Sequence, residues 1–434
     1  MKISLAATNP CHVFPLAVEL ARAGALGCYY SGYPAWKLGE DARALTVRAH
    51  SLRTNIVYGL LKYAPEKLRP SSRRLFLWQD AGFDRWTGAH LEPCDFIHGL
   101  PGQCLHTFRA ARRLGIRTVL NHATGPVREW VRIMEPEYAR VGLKLADVCP
   151  YDPDYFARED EEYALTDFHC AASTIVREQL AALGIPRERI WLVPYGADAR
   201  IFPPGSTRVP RVGAGVPPAR TSADVDAEEI VDSSSSDSAR KFVAAGRPDQ
   251  PAGRACSPEL AAAPAPAAAG LRIVFAGQAG LRKGLRTLLD ALTLAGRADW
   301  RVDFYGAVLG EAQADLAGYR GTTPLHFHGP VAQPALAQAF RAGSVLVLPS
   351  LEEGFGLVVP QALNCGLPAI VSDRVGGQDF VRHRETGSIF PVGDAAALAA
   401  ELAWWAAQPR RITANFGWNA PAQTLITLSE AARA

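Results

Sequence analysis

Short apolar runs alternate with longer amphipathic stretches along most of this 434-residue chain. The runs Ile3–Ala7 and Val345–Leu348 contain only apolar or small residues, which is typical of strands buried on both faces. The stretches Phe14–Ala23 and 285–295 instead repeat their apolar residues at helical spacing. Because loops rich in Gly or Pro separate the two kinds of segment, the pattern predicts an α/β fold with parallel sheets.

The same pattern recurs in both halves of the chain. It predicts strands at 3–7, 28–31, 95–98, 118–121, 168–171 and 190–193, and again at 271–277, 300–306, 325–329, 345–348, 369–371 and 388–391. It predicts helices at 14–23, through much of 50–90, at about 103–114, ahead of 168, and at 285–295, 334–342 and 357–365. Two tandem halves of this kind predict two Rossmann-like, doubly wound domains that face a cleft.

A change in composition separates the two halves. Residues 204–270 are dominated by Pro, Gly, Ala and Ser, and they include the run Ser233–Ser236. Such a stretch cannot bury enough apolar area to order its backbone, so we expect a disordered insertion at a domain boundary. The expected organisation is a first domain at 1–203, the insertion at 204–270, a second domain at 271–410, and a helical tail at 411–434 that can cross back to the first domain.

Composition and charge exclude several classes of protein. Hydrophobic residues make up 48% of the chain and charged residues 21%, and the net charge of +3 is too small to indicate nucleic-acid binding. The eight cysteines form no C-x-x-C pair and show no zinc spacing, so we expect reduced thiols. No apolar run is long enough for a signal peptide or a spanning helix. We therefore expect a cytoplasmic protein, and attachment to the inner face of the membrane stays open.

The region 50–90 mixes basic and aromatic residues. Arginines interleave with large apolar side chains at Arg69, Arg73, Arg74, Leu75, Phe76, Trp78 and Trp86. One interpretation is a peripheral contact with an anionic membrane. The interpretation that we favour is a helix pair with one core face and one solvated face.

Three histidines follow or end predicted strands of the first half. His12, His98 and His122 should share one rim of a ligand crevice, because the carboxyl ends of parallel strands meet at one edge of the sheet. His122 is a candidate acid–base or contact residue, although a structural histidine fits equally well. His12 can contact a ligand or form a local hydrogen bond.

Two loops of the second half indicate an anion site. The loop 277–284 (GQAGLRKG) places Arg282 and Lys283 next to a predicted helix N-terminus. The loop 350–356 (SLEEGFG) joins a buried strand to another helix and carries Glu352 and Glu353. A nucleotide or a phosphorylated ligand would suit these loops, but an ordinary strand–turn–helix crossover and a solvated lysine would also explain them.

Taken together, these motifs resemble those of the retaining GT-B glycosyltransferases of family 4, also described as glycosyl transferases group 1. The resemblance covers most of 165–395 except the insertion, and it rests on Pro349-Ser350, Glu353-Gly354-Phe355-Gly356, Gly366-Leu367-Pro368, the loop 277–284, Gly376-Gly377 and the stretch Val193–Asp198. It implies a GT-B fold and the transfer of a sugar from a nucleoside diphosphate donor. It also implies retention at the anomeric carbon, with no metal or other cofactor, and an acceptor that is a glycan, a lipid or a small molecule.

The resemblance also implies roles for single residues. Lys283 and Arg282 would bind the diphosphate beside Gly277, together with the backbone of Gly354, Phe355, Gly356 and Leu357. Glu353 would bind hydroxyls of the donor sugar, Gln361 the ribose, and Gly377 would allow close backbone approach. His122 would lie near the reacting centre, and His12 and His98 would lie on the acceptor side. Glu352 is adjacent to Glu353, so we expect the two carboxylates to diverge and to be unsuited to hydrolysis by a carboxylate pair.

Three positions depart from the family pattern. Gln361 stands where the family has a second glutamate, Gln278 stands where it has an arginine, and Asp379 lies one residue away from the usual acidic position. The departures keep a second class of function open, namely a non-catalytic relative that binds a nucleotide sugar or a partner protein. Another GT-B enzyme, such as a sugar-phosphate epimerase, is a further alternative. An NAD-linked oxidoreductase is disfavoured because G-x-G-x-x-G is missing.

Overall fold

Both halves of the chain fold as parallel β-sheets with helices on both faces, as a computed structural model shows for residues 1–64, 72–148, 153–204, 220–221 and 270–433. The first sheet has the strand order β3-β2-β1-β4-β5-β6-β7, and all of its pairs are parallel. Its strands are β1 Ile3–Ala7, β2 Leu26–Ser31, β3 Val47–Ala49, β4 Phe96–Gly99, β5 Arg117–His122, β6 Phe168–Ala171 and β7 Ile190–Leu192.

Helices connect the strands of the first domain. They are α1 Val13–Arg22, α2 Leu52–Tyr63, α3 Ser72–Ala89, α4 Leu105–Arg113, α5 Val127–Arg140, α6 Leu145–Val148, α7 Pro153–Leu165 and α8 Thr174–Ala182. The order of the strands reverses between β1 and β4, so the loops that follow these two strands lie at a topological switch point. Thr8 and Gln103 tie the two loops together, because the Thr8 Oγ1 hydroxyl donates to Gln103 Oε1 at 2.9 Å.

The second domain repeats this architecture. Its sheet has the order β14-β13-β12-β9-β10-β11-β8, in which β8 is an antiparallel edge strand. Its strands are β8 Arg220–Thr221, β9 Arg272–Ala276, β10 Arg301–Tyr305, β11 Leu325–Phe327, β12 Val345–Leu348, β13 Ala369–Ser372 and β14 Gly387–Phe390. Its helices are α9 Leu285–Ala295, α10 Gln313–Gly318, α11 Gln333–Ala342, α12 Val358–Asn364 and α13 Ala395–Ala407, and α14 Asn419–Arg433 follows them. Here the order of the strands reverses between β9 and β12.

The structure confirms the expected α/β class with two Rossmann-like domains. It differs from the expectation at the edges of both sheets. Strand β3 was not predicted, because Val47–Ala49 is short and largely exposed and carries no apolar run. Arg220–Thr221 lies in the segment expected to be disordered, yet it pairs with β11 and gains ladder hydrogen bonds. Residues 205–219 and 222–269 lie outside the described part of the chain.

The two domains are joined through apolar contacts and through the C-terminal helix. Helix α14 returns to the first domain, where Ala422 and Leu425 belong to the same buried cluster as Leu16 of α1. The ring of Tyr195 packs on Phe355 of the second domain with the centroids 4.8 Å apart. Burial of these side chains therefore favours one arrangement of the two domains.

Two further expectations concern the cysteines and membrane-spanning helices of the chain. Its cysteines are free thiols at positions 11, 28, 94, 104, 170 and 365, whereas Cys149 and Cys256 lie outside the described residues. Among the helices that the structure describes, none is long and apolar enough to cross a membrane.

Candidate functional site

The candidate site forms where the strand order of the second domain reverses. The loop after β9 (277–284) and the loop after β12 (349–357) lie side by side, because β9 and β12 are paired neighbours. Gly284 has φ +67°, and a Cβ atom there would lie 1.8 Å from the carbonyl oxygen of Pro349. Only glycine fits this left-handed backbone and this contact, so the two loops pack directly against each other.

Two cations of the first loop meet two carboxylates of the second. The ammonium group of Lys283 contacts the carboxylate of Glu353, and Lys283 is only 4% exposed. Arg282 Nη1 lies 3.3 Å from Glu353 Oε2 and 3.5 Å from Glu352 Oε2. The aliphatic end of Lys283 runs past Gly277, where an added Cβ atom would lie 3.4 Å from Lys283 Cε. The structure thus brings Gly277, Arg282, Lys283 and Glu353 together.

The expectation that the carboxylates of Glu352 and Glu353 diverge is wrong. Both carboxylates approach the guanidinium group of Arg282, which has enough donors to serve two acceptors. The side chain of Glu352 is buried, and burial raises the pKa of its carboxyl group while the nearby Arg282 opposes the rise. The convergence depends on the reach of Arg282 from another loop, which the spacing of the two glutamates does not indicate.

The loop after β12 also contacts the first domain directly. A Cβ atom on Gly354 would lie 2.4 Å from the Cα atom of Thr124, in the loop after β5. The hydroxyl of Ser173 donates to the carbonyl oxygen of Gly354 at 2.5 Å and also caps helix α8. The backbone N–H of Thr174 donates to Asp379 at 2.8 Å. The N-terminus of α8 therefore fixes the two domains to each other beside Glu353.

In the sequence, Ser173 fits only the pattern of a helix N-cap, and Asp379 was identified only as a displaced acidic residue. Neither position carried a signal for a contact between domains. The link forms because Asp379 lies in a short turn of 3₁₀ helix, Gly376–Phe380, opposite the first turn of α8. In that position its carboxylate accepts from Thr174, so its negative charge faces the positive end of the α8 dipole.

The remaining residues that were expected on the donor side lie around the turn that contains Gly356 and Leu357. Phe355 is buried against Tyr195 and Phe380, so it anchors the turn. A Cβ atom on Gly377 would lie 3.0 Å from the carbonyl oxygen of Phe355, which shows how closely the second glycine loop approaches. Gln361 is 6% exposed on α12, one turn beyond the loop.

His122 lies apart from these groups. Its Nε2 atom is 3.0 Å from Nδ1 of His169, and Tyr163 packs edge-on against both rings. Burial lowers the pKa of both histidines, that of His169 to about 3. His122 is 1% exposed, and the loop that follows it, rather than its ring, contacts Gly354.

His12 and His98 lie elsewhere in the first domain, where His98 is buried and His12 is partly buried. The ring of His12 stacks on Tyr195 with the centroids 4.2 Å apart, and the hydroxyl of Tyr195 donates to Asn121 Oδ1 at 3.2 Å. Strand register places His98 beside Val119, so His98 shares a sheet face with Asn121, whereas His122 points to the opposite face. Burial lowers the pKa of His12 and His98 to about 3. His12 lies just before α1, His98 lies within β4 and His122 ends β5, and their rings do not form one cluster.

The N-terminus of helix α4, on the same edge of the first sheet, is capped by the chain's own carboxylates. Glu162 accepts from the N–H groups of Gly102 at 2.6 Å and Cys104 at 3.1 Å, and Asp84 accepts from Thr107 at 2.8 Å. Arg158 neutralises both carboxylates. Because these donors are satisfied, the positive groups best placed for an anion are Arg282, Lys283 and the N-terminus of α9. No group of three or more His, Cys, Asp or Glu side chains within the described ranges could hold a metal ion.

Comparison with known proteins connects the second domain to one enzyme family. Residues 270–408 match the family described as "Glycosyl transferases group 1". The chain is 37% identical over 120 residues to a D-inositol 3-phosphate glycosyltransferase of Streptomyces bingchenggensis, a match that covers 25% of this chain and 26% of that protein. It is 30% identical over 183 residues to a D-inositol 3-phosphate glycosyltransferase of Catenulispora acidiphila, covering 37% and 44%. The matched part therefore spans less than half the length of these relatives.

Solved structures match the whole chain. HepE of Anabaena in complex with UDP has a TM-score of 0.54 and 14% identity, with 100% of this chain and 98% of that chain covered. Sucrose-phosphate synthase of Thermosynechococcus elongatus has a TM-score of 0.53 and 18% identity, with 99% and 94% covered. These similarities show that the chain has the GT-B fold.

Proposed function

We propose that this chain is a group 1 glycosyltransferase, which moves a sugar from a nucleoside diphosphate donor to an acceptor. The observation that carries the proposal is the pairing of Arg282 and Lys283 with Glu353 at the strand-order reversal, facing the first domain. The part of the chain that matches the family, 270–408, contains all three residues. Two further supports are the relatives, which are glycosyltransferases by name, and the HepE structure, which holds UDP.

The chemistry of transfer fits the charges of the site. When the bond between sugar and diphosphate breaks, negative charge develops on the leaving phosphate. Lys283, Arg282 and the N-terminus of α9 would neutralise that charge in a partly buried place, where electrostatic stabilisation is strongest. These positive groups supply what a divalent cation would supply elsewhere, so we propose that transfer needs no metal.

We further propose that Glu353 exchanges partners when the donor binds. The diphosphate would take over the ammonium group of Lys283, and the carboxylate of Glu353 would then accept from hydroxyls of the donor sugar. The hydrogen bond between His122 and His169 would hold the end of β5 in place, and with it the loop after β5 that contacts Gly354. His122 would thus affect the reaction indirectly, through the position of this loop. Gln361 would contact the ribose through its amide.

Retention at the anomeric carbon is part of the proposal. The carboxylates of Glu352 and Glu353 both face Arg282, which suits binding rather than attack on the sugar. Attack by the acceptor on the face that the diphosphate leaves would retain the configuration without a covalent intermediate. NMR assignment of the anomeric proton of the product tests this point, and an inverted product would contradict it.

The experiment that tests the proposed function is a thermal-shift screen with UDP-, GDP- and ADP-glucose, followed by chromatography of the nucleotide products. We expect a rise in Tm with UDP-glucose, because UDP and UDP-glucose occupy the HepE structures. We also expect slow release of UDP by hydrolysis even without the acceptor. If none of these donors raises the Tm, the proposal fails.

One observation favours a second candidate, a non-catalytic protein that binds a nucleotide sugar. Gln361 replaces the carboxylate that the family places on this helix, and it is neutral and buried. A stable Tm increase with a nucleotide sugar, but no nucleotide release with any acceptor tested, would favour this candidate over the enzyme.

A further inference from the structure

An exposed apolar stripe runs along helix α2 of the first domain. Leu52, Ile56 and Tyr63 follow the i, i+4, i+11 spacing that places residues on one side of a helix, and all three are exposed. The opposite side of α2 already packs on α3, where Val57 contacts the cluster formed by Leu75 and Phe76. The structure thus confirms the helix pair that the sequence favoured, and it shows that the exposed side of α2 includes a stripe of large apolar residues.

Large exposed apolar side chains are concentrated in one stretch of the chain that includes α2 and the start of α3. Within the described residues, nine such side chains are exposed, and five of them lie between positions 36 and 78 of the chain: Trp36, Leu52, Ile56, Tyr63 and Trp78. Single exposed apolar residues are ordinary on protein surfaces, but a concentration of this kind indicates a contact surface.

Basic side chains accompany these apolar residues. The guanidinium group of Arg53 lies 4.4 Å from the ring centroid of Trp78, and the ammonium group of Lys62 lies 4.9 Å from that of Tyr63. Arg74 is exposed one turn before Trp78 on α3. Neither 42–64 nor 72–79 contains an acidic residue, whereas the whole chain has nearly balanced charge. We call the surface formed by Leu52, Arg53, Ile56, Lys62, Tyr63, Arg74 and Trp78 the α2–α3 face.

We propose that the α2–α3 face docks on an anionic lipid bilayer. Trp and Tyr are the residues that settle at the boundary between headgroups and acyl chains, and Leu and Ile supply apolar area below it. Each basic side chain close to an anionic surface adds attraction. A protein partner fits less well, because lysine is depleted in the centre of protein–protein interfaces, whereas Lys62 borders the apolar stripe here.

Docking there has a consequence for the cleft. The hydroxyl of Tyr58 on α2 donates to Asn9 Oδ1 at 2.9 Å, and Asn9 lies in the loop between β1 and α1 that leads to His12. The bilayer would therefore lie close to the first-domain rim of the cleft. The docking itself needs no catalytic activity, so its test is independent of the proposed transfer.

Flotation of the full chain with vesicles tests the proposal. We expect the protein to float with phosphatidylcholine vesicles that contain phosphatidylglycerol, to float much less with phosphatidylcholine alone, and to be released by salt. Leu52→Ser combined with Ile56→Ser should reduce the bound fraction at least about tenfold, since two apolar anchors are lost. Leu294→Ser is the matched control, because Leu294 in the second domain is 64% exposed and Leu52 is 65% exposed. The control should float like the wild type.

A second variant keeps the proposal testable if the variant with Leu52→Ser and Ile56→Ser does not fold. Lys62→Glu changes one exposed charge, so it should keep the wild-type Tm and lose binding to phosphatidylglycerol vesicles. The proposal is overturned if the wild type does not float with these vesicles, or if the α2 variants float as well as Leu294→Ser. It is also overturned if sedimentation shows a dimer that the α2 substitutions dissociate, since the face would then bind a second copy of the chain.

Discussion

The ammonium group of Lys283 contacts the carboxylate of Glu353, so the charge proposed to bind the donor diphosphate is paired with a side chain of the same protein. Lys283 sits at the N-terminus of α9, and Glu353 comes from the neighbouring loop after β12. In the proposed site, a diphosphate would therefore compete with Glu353 for Lys283. Glu353 would oppose binding of the nucleotide and favour binding of the sugar, so its effects on UDP affinity and on sugar transfer can be measured separately.

Glu353→Gln should bind UDP more tightly while it transfers sugar far more slowly. The substitution removes the negative charge that faces Lys283 and Arg282, so the affinity for UDP should rise about fivefold to tenfold. Transfer should fall, because an amide accepts from sugar hydroxyls more weakly than a carboxylate does. Calorimetry with UDP and an assay of UDP release give the two values.

The matched control for this variant is Glu385→Gln, an isosteric change at an exposed glutamate of the second domain that pairs with Arg382. It should leave UDP affinity and turnover unchanged. Weaker binding of UDP by Glu353→Gln would show that Glu353 does not compete with the diphosphate.

Gly354→Ala should separate the domains and slow the reaction. The new Cβ atom would lie 2.4 Å from Thr124 Cα and 2.7 Å from the carbonyl oxygen of Ala123, so the backbone of one domain must move. A displacement of about 1 Å at a reacting centre can cost about a hundredfold in rate. Small-angle scattering should show a larger radius of gyration than in the wild type.

Gly318→Ala provides the comparison, because a Cβ atom there meets nothing within 4 Å. This control should keep the wild-type scattering curve and rate. Wild-type turnover in Gly354→Ala would mean that the contact between Gly354 and the loop after β5 has no part in the reaction.

His98 should make the protein less stable in acid. Burial lowers the pKa of His98 from 6.5 to about 3, so the unfolded chain binds a proton at a higher pH than the folded chain does. The contribution of His98 to the free energy of unfolding is therefore complete above about pH 6.5, and it is lost as the pH falls from there towards about 3.

His98→Leu should flatten this dependence. Neither ring nitrogen of His98 has a hydrogen-bond partner among the described residues, so leucine removes a buried polar group without breaking a bond. Its Tm should fall less than that of the wild type between pH 6.5 and pH 4, and the two proteins should differ little at pH 8. Parallel Tm curves across the whole range would rule out His98 as the titrating group.

The fold and the two loops of the candidate site follow from local patterns, whereas the contacts between the loops do not. Apolar runs and glycine-rich turns located β9, β12 and the loops after them, because these features depend on neighbouring residues in the chain. The convergence of Glu352 and Glu353 on Arg282 depends instead on how two loops pack. Strand β3 was missed for a related reason, since its place at a sheet edge depends on pairing with β2 rather than on its own apolar content.

His122 illustrates a different limit. The sequence placed it just after a strand, on the rim of a ligand crevice, and the structure has it as the last residue of β5. Which sheet face its ring occupies depends on strand register, and that register directs the ring to His169. The link from Ser173 to Gly354 is similar, because it joins residues of two domains that are far apart in the chain.

The most direct test of the proposed donor site is calorimetric titration of UDP-glucose into the wild type, Lys283→Ala and Lys62→Ala. Lys62 is an exposed lysine on α2 and serves as the control. One charge-assisted hydrogen bond is worth roughly 1.5–3 kcal/mol, so Lys283→Ala should raise the Kd about tenfold to a hundredfold, while Lys62→Ala should leave it unchanged. An unchanged Kd in a folded Lys283→Ala protein would contradict the assignment of the diphosphate site.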